Sequence, residues 1–363
     1  MKFSLRMADT CLARYPLLAQ TWEYQFGVVL KGIEQVWLAS GDPRYRAYIQ
    51  ANIDAFVQPD GRIRTYSPDD FNLDLIHTGT LLFELLRASG DERYRRAILL
   101  LRSQLARHPR NSEGGFWHKS IYPDQMWLDG IYMAGPFYAR FGRDFHEPSA
   151  FDDVAHQVTL IEKHLRDPHS GLLYHGWDAT RSRPWADPRT GCSPHFWGRA
   201  VGWYAMALVD MLDFFPGDHP ARPALLDEFC RLLAALAKVQ DSVSGLWYQV
   251  LDQGARPGNY LETSASCMAV YAAAKGVRLG YLPVEYRAMA EAAYAGILRD
   301  KLSVDGAGLL DLRDICKVAG LSGTVPQPQR DGSFEYYIQE PVVSNDYKGL
   351  GAFILASVEI EAQ

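Results

Sequence analysis

One phrase recurs along this 363-residue chain and limits what it can fold into: an apolar helix, a Gly-Asp turn, then an amphipathic helix. The first copy begins at Trp22-Glu23-Tyr24-Gln25-Phe26-Gly27-Val28-Val29-Leu30 and runs to Ser40. It turns at Gly41-Asp42-Pro43-Arg44-Tyr45-Arg46 and continues to Val57. The second spans Gly79 to Ser89, turns at Gly90-Asp91-Glu92-Arg93-Tyr94-Arg95 and ends near His108. Glycine stops one helix, aspartate caps the next, and Pro43 suits its first position. A helix apolar nearly all round is buried on most of its surface, whereas an amphipathic one buries a stripe. Each pair is an αα-hairpin, and its repetition predicts a repeating hairpin architecture.

Fainter copies follow. Asp129 to Arg140 turns at Gly142-Arg143-Asp144-Phe145 into a helix ending near Leu165. Arg199 to Phe214 turns at Pro216-Gly217-Asp218 into one ending near Val239. Ser264 to Leu279 turns at Gly280-Tyr281-Leu282-Pro283 into one ending near Leu302. Two helices are left without partners. Residues 3 to 20 read as a first helix that Pro16 kinks or ends, and Gly349 to Glu359 reads as a last, strongly apolar one. Paired with each other they make a sixth hairpin and close a ring, with apolar helices inside and amphipathic helices outside. An open solenoid would end in polar capping repeats. The pattern therefore predicts an all-α closed toroid, an (α/α)6 barrel, formed as a single domain over residues 1–363.

A second repeat marks the returns from outer to inner helices. Gly115-Phe116-Trp117-His118, Gly171-Leu172-Leu173-Tyr174-His175 and Gly245-Leu246-Trp247-Tyr248-Gln249 share one form: a turning glycine, an apolar-aromatic run, a polar tip. They read as short strands or extended loops on one rim, where binding residues belong. Gly332-Ser333-Phe334-Glu335-Tyr336-Tyr337 reads as a degenerate copy. Residues 303 to 333, rich in Gly, Pro, Asp and Ser, read as a long loop.

Composition removes several functional classes. The net charge is -6 with Lys and Arg scattered, which argues against nucleic acid and anionic membrane as partners. No stretch approaches the roughly 18 unbroken apolar residues of a membrane span. The N-terminal stretch lacks an apolar signal core. Cys11, Cys192, Cys230, Cys267 and Cys316 are odd in number and lack CxxC spacing, so free thiols in a reducing cytoplasm are expected. Neither a zinc site nor a P-loop, GxSxG or HExxH motif is present, and no cofactor or metal is implied. Aromatic residues make 12% of the chain, enough for a large core or for platforms under sugar rings.

The chemistry-bearing groups fall at inner-helix starts and rim loops. Asp129 sits among Trp127, Leu128, Ile131 and Met133. It either caps its helix or points into a cavity, where burial among apolar groups would raise its pKa and suit it to act as an acid. Asp74, in Phe71-Asn72-Leu73-Asp74, is an N-cap or a second active-site carboxylate. His118-Lys119 offers a cation to a substrate carboxylate. His175 is flanked by Tyr174 and Trp177. In His195-Phe196-Trp197-Gly198-Arg199-Ala200-Val201-Gly202-Trp203, a guanidinium fork stands between two aromatic faces, Trp197 and Trp203. Glu262 lies near the cap of the fifth inner helix.

Trp127-Leu128-Asp129-Gly130-Ile131-Tyr132-Met133, Phe196-Trp197-Gly198-Arg199-Ala200-Val201-Gly202-Trp203 and Gly245-Leu246-Trp247-Tyr248-Gln249-Val250-Leu251-Asp252 resemble the unsaturated rhamnogalacturonyl hydrolases, glycoside hydrolase family 105. So do Tyr260-Leu261-Glu262-Thr263-Ser264-Ala265-Ser266 and Asn345-Asp346-Tyr347-Lys348-Gly349. The likeness runs from about Trp22 to the C-terminus. A more distant one is to the unsaturated glucuronyl hydrolases that act on glycosaminoglycan fragments.

The resemblance implies an (α/α)6 barrel. It also implies a substrate left by a polysaccharide lyase, an oligosaccharide ending in a 4,5-unsaturated uronic acid. Hydrolysis would proceed by hydration of the vinyl ether. Asp129 would donate a proton to C4 and help water add at C5, with Asp74 as supporting carboxylate and His175 orienting water or sugar. Lys119, with His118 beside it, and Arg199 would face the substrate carboxylate or hydroxyls. Trp127, Trp197 and Trp203 would shape the pocket, with Met133 as a further wall. The family's early aromatic positions fall near Trp22 and Tyr24. The loops 178–195 and 303–333 would read the second sugar. Two other readings fit the residues: a sugar epimerase or isomerase using His118, His175 and His195 as proton carriers, and a non-catalytic sugar-binding protein.

Overall fold

The computed structural model describes residues 2–321 and 330–362. Its helices are α1 (Phe3–Arg14), α2 (Tyr24–Ser40), α3 (Pro43–Asp54), α4 (Thr80–Ser89), α5 (Glu92–Arg107), α6 (Leu128–Asp144), α7 (Ser149–Leu165), α8 (Gly198–Met211), α9 (Arg222–Lys238), α10 (Thr263–Arg278), α11 (Glu285–Asp300), α12 (Phe334–Gln339) and α13 (Tyr347–Glu361). The turn chemistry read from the sequence is present. Gly41 and Gly90 end α2 and α4 in left-handed backbone, donating to the carbonyls of Trp37 and Leu86. The Asp42 and Asp91 carboxylates then accept from the Arg44 and Arg93 amides and start α3 and α5.

The apolar helices close a ring. α2 packs on α13, α13 on α10, α10 on α8, α8 on α6, and α6 on α4 and the 3-10 turn His77–Gly79, which return to α2. Each carries an outer partner: α3, α5, α7, α9 and α11 back α2, α4, α6, α8 and α10, and α1 backs α13. The first and last helices therefore pair as the hairpin count predicts, and the fold is the all-α six-hairpin toroid. The Glu361 carboxylate fixes that join by accepting from the Phe3 amide at 2.6 Å. Every residue of α8 is buried, as the all-round apolar pattern requires. At the closing contact Gly351 meets the backbone of Val28 so closely that a Cβ would sit 2.4 Å from its carbonyl oxygen.

The opposite ends of the inner helices form a floor of paired charges. Lys275 Nζ lies 2.6 Å from Asp210 and 2.7 Å from Asp213, Arg140 bonds Glu84 at 2.6 Å, and Arg278 bonds Glu359 at 2.7 Å. These cations stand where helix C-termini carry partial negative charge.

Short strands stitch the other rim. β1 (Gln125–Trp127) pairs antiparallel with β2 (Gly176–Asp178), setting Trp127 opposite Gly176. β3 (Leu302–Val304) pairs with β4 (Leu310–Leu312), and β5 (Ile315–Cys316) with β6 (Val342–Val343). The stretch 303–333 is thus partly strand; its residues 322–329 lie outside the described residues. The segment read as a fourth rim loop, Gly332 to Tyr337, is instead the start of α12. The Ser333 hydroxyl caps that helix by accepting from the Tyr336 amide at 3.1 Å, and local capping outweighs the glycine-aromatic pattern. No helix among the described residues is long and apolar enough to cross a membrane.

Candidate active site

All six inner helices point their N-termini at the stitched rim, so six partial positive charges converge there. Asp129 is the second residue of α6. It does not cap that helix: the N-cap is Trp127, and no side chain caps it. Only 14% of the Asp129 side chain is exposed, and its Oδ2 lies 3.3 Å from His175 Nε2. The pair is in contact but not aligned as a hydrogen bond, and both atoms lack a hydrogen-bond partner among the described residues. Both are buried polar atoms with unused hydrogen-bonding capacity.

The expected rise in the Asp129 pKa is not what the structure gives. Burial pushes the carboxyl up, but His175, then His118 and Arg199, together hold it below the ordinary carboxylate value. His118 is itself pushed down to about 4, chiefly by burial, and is neutral near pH 7. The apolar neighbours of Asp129 in sequence line the helix, while its carboxyl faces groups brought from elsewhere.

A second set stands beside it. Asp74 lies in a 3-10 turn (Leu73–Leu75), its amide bonded to the Asn72 side chain, so Asn72 is the cap and the Asp74 carboxylate is free to act elsewhere. Asp74 Oδ2 is 2.5 Å from Lys119 Nζ, and Oδ1 is 3.5 Å from His118 Nε2. Burial alone would lower the Lys119 pKa, but the Asp74 carboxylate more than offsets this and raises it, so Lys119 is charged. Trp22, buried in the core, fixes the same turn by donating its indole N–H to the Leu75 carbonyl at 2.8 Å. Tyr24 is the early aromatic residue at the site, within electrostatic reach of Asp74, Arg199 and Asp129.

Aromatic rings frame these groups. Trp127 stacks on His118 and Tyr122 at 4.5 and 4.7 Å and meets His175 edge-on at 5.4 Å. Leu321 and Trp185 pack on its outer side, so the loops 178–195 and 303–333 both reach the pocket wall. Trp197 lies 4.7 Å from the His175 ring and under the Arg199 guanidinium. Trp203 and Met133 sit one helical turn below Arg199 and Asp129; both are buried, and Trp203 stacks on Tyr132.

Arg199 is more enclosed than its motif suggests. Its Nη1 donates to the Cys316 carbonyl, while its Nε has no partner among the described residues. Glu262 caps α10 by accepting from the Ala265 amide at 2.6 Å and also accepts from the Cys316 amide. Gln249 turns away from the pocket, taking the Trp197 indole N–H and donating to the Tyr337 carbonyl. His195 stands apart on the rim beside Phe334, so the three candidate histidines do not converge. Two residues at the site were not singled out from the sequence. Tyr337 bonds His175, and Lys348, buried beside Arg199, is held by Asp346 at 2.8 Å. Lys348 had a signal, the Asn345-Asp346-Tyr347-Lys348-Gly349 stretch that opens the last inner helix. Tyr337 had none beyond its place in the misread segment. Among the described residues no cluster of three or more His, Cys, Asp or Glu side chains is arranged to hold a metal ion.

A closed six-hairpin toroid with carboxylates and aromatic rings gathered at its inner-helix N-termini is the architecture of the (α/α)6 glycosidases. The model of Glycosyl Hydrolase Family 88 matches residues 4–363, and the chain belongs to that group of glycoside hydrolases. A solved family 105 glycoside hydrolase from C. acetobutylicum is 47% identical and superposes with a TM-score of 0.97 over 100% of both chains. Protein Atu3128 of Agrobacterium fabrum is 41% identical over 231 residues, 62% of this chain and 97% of that one. The unsaturated rhamnogalacturonyl hydrolase YesR of Bacillus subtilis is 30% identical over 251 residues, 68% of each chain.

Proposed function

We propose that this protein removes the 4,5-unsaturated uronic acid from the non-reducing end of lyase-generated oligosaccharides, with unsaturated galacturonyl-rhamnose as the favoured substrate. The observation that carries this reading is the Asp129 carboxyl, whose buried Oδ2 lies 3.3 Å from His175 Nε2, both atoms without a hydrogen-bond partner among the described residues, with the cations Lys119 and Arg199 in electrostatic reach. The 30% identity to YesR supports the choice of sugar. The whole chain acts as one glycosidase domain. The unbonded cysteines support a cytoplasmic location.

The chemistry runs as a hydration. Asp129 in its acid form protonates C4 of the vinyl ether, and positive charge develops at C5 and the ring oxygen. Water adds at C5 and returns a proton to Asp129, which regenerates the acid. The hemiketal opens to a ketone and exposes a hemiacetal at C1, whose collapse releases the remaining sugar. Asp74 supplies negative charge opposite the developing cation, and His175 holds the water. Lys119, with 23% of its side chain exposed, meets the substrate carboxylate, while buried Arg199 and the helix N-termini add a positive field. His118 and the Trp127, Trp197, Trp203 and Met133 side chains shape the walls. Asp129 is ionised in the free protein, and the arriving substrate carboxylate raises its pKa and lets it take up the proton it delivers.

A panel of lyase products, followed by loss of the ultraviolet absorbance of the conjugated double bond, tests this. Asp129→Asn should stay folded and lose about 10²–10⁴-fold in rate. A chromophore left intact across the whole panel would overturn the reading.

A further inference from the structure

The hydroxyl of Tyr337 lies 2.8 Å from Nδ1 of His175, while Nε2 of the same ring faces Asp129 at 3.3 Å. The phenol comes from α12, the imidazole from the loop entering β2 and the carboxyl from α6. Tyr337 and His175 are both fully buried. Tyr337 is firmly placed: its ring lies parallel to Trp197 at 6.0 Å, and its carbonyl accepts from Gln249 at 3.1 Å.

A neutral imidazole carries one N–H, and its hydrogen-bond partners decide which nitrogen holds it. An ionised Asp129 can only accept, so its charge at 3.3 Å favours an N–H on the nitrogen that faces it, even without an aligned hydrogen bond. Nδ1 is then a lone pair, and the Tyr337 hydroxyl must be what donates to it. Burial drives the Tyr337 pKa far upward, so the phenol keeps its proton. The phenol, which can donate or accept, serves the tautomer favoured by the carboxylate as its donor.

We propose that Tyr337 is a positioning residue that fixes His175 as the Nε2–H tautomer by donating its hydroxyl proton to Nδ1. The catalytic consequence rests on the proposed function; the tautomer itself is a property of the resting protein. With Nε2 already protonated, neutral His175 cannot accept the proton of the Asp129 acid form. That proton is left for C4 of the substrate, and the Nε2–H stays available to a water oxygen or to the spent carboxylate. In the opposite tautomer the Nε2 lone pair would draw the acid proton into the resting pair. Tyr337 thereby sets where the acid proton goes without touching the substrate.

Long-range proton–nitrogen NMR of the full chain with 15N-labelled histidine, at mildly alkaline pH, tests this. The His175 signals are assigned by their loss in His175→Gln. The expected pattern has a bare Nδ1 and a protonated Nε2. Tyr337→Phe keeps the ring on Trp197 but removes the donor, and it should shift that pattern toward a tautomer mixture. It should also lower kcat at least about tenfold while leaving KM within about twofold, as expected for loss of an orienting partner. An Nδ1–H or imidazolium pattern in the wild type overturns the proposal, as does a pattern unchanged in Tyr337→Phe. If that variant does not fold, the wild-type spectrum decides alone. Failure of the chromophore assay with every lyase product would remove the proposed reaction and leave the tautomer measurement standing.

Discussion

Lys119 Nζ rests 2.5 Å from Asp74 Oδ2, an ion pair held across the bridge between Asn72 and Lys119. Lys119 is the partly exposed member, so an incoming sugar carboxylate can share it. Lys119→Met should raise KM about tenfold or more with a smaller change in kcat, since a hydrogen bond to a charged group is worth about 1.5–3 kcal/mol. Steady-state kinetics on the preferred lyase product checks this. A KM unchanged in Lys119→Met would remove the residue from substrate binding.

The pH dependence follows from the lowered pKa of Asp129, a balance in which burial is outweighed by His175, His118 and Arg199. The carboxylate is ionised in the free protein, and the reaction needs its acid form. kcat/KM, which reports the free protein, should therefore increase as pH falls toward the carboxylate range. In the complex the substrate carboxylate adds a like charge and raises the pKa. The alkaline limb of kcat should thus lie at higher pH than that of kcat/KM, and coincident limbs would count against Asp129 as the proton donor. Because the folded value is depressed, the same group contributes stability that is present above its unfolded pKa. That contribution is lost as pH falls through the folded value.

The barrel floor makes a prediction about stability. Lys275, with only 7% of its side chain exposed, neutralises Asp210 at 2.6 Å, where Tyr271 also donates at 2.7 Å. Lys275→Met leaves a buried carboxylate unpaired and should cost about 3–5 kcal/mol in urea denaturation. Adding Asp210→Asn should recover part of that loss. A cost below about 1 kcal/mol for the single change would show that water already screens the pair.

Ring closure can be tested at Gly351. Alanine is the better helix former by about 1 kcal/mol. Its Cβ, however, would sit 2.4 Å from the Val28 carbonyl oxygen, and backbone cannot yield as a flexible side chain can. Gly351→Ala should therefore be destabilising by about 1–3 kcal/mol, seen as a fall in Tm. A rise in Tm would mean that α2 and α13 are free to separate.

How much of this was legible in the chain divides by the range of the interaction. Helix boundaries at Ser40 and Ser89 were readable because glycine stops and aspartate caps act over a few residues. The charge state of Asp129 was not. Trp127, Leu128, Ile131 and Met133 pointed to an apolar setting and a raised pKa, yet the carboxyl faces His175 and Arg199 from other elements. Arg199 was readable as a special residue, but not its tie to the Cys316 carbonyl across the barrel. Tyr337 was hidden in a segment whose glycine-aromatic pattern suggested a rim loop and whose serine cap makes a helix.

The sequence by itself determined the six hairpins, their inside and outside faces and the rim on which the acids, histidines and tryptophans gather. Those properties follow from hydrophobic period and turn chemistry, both local. Only the tertiary structure decided which groups touch. Lys119 is paired with Asp74, Asp129 with His175, and His175 with Tyr337, because electrostatic and hydrogen-bond effects act over a few ångströms between residues far apart in the chain.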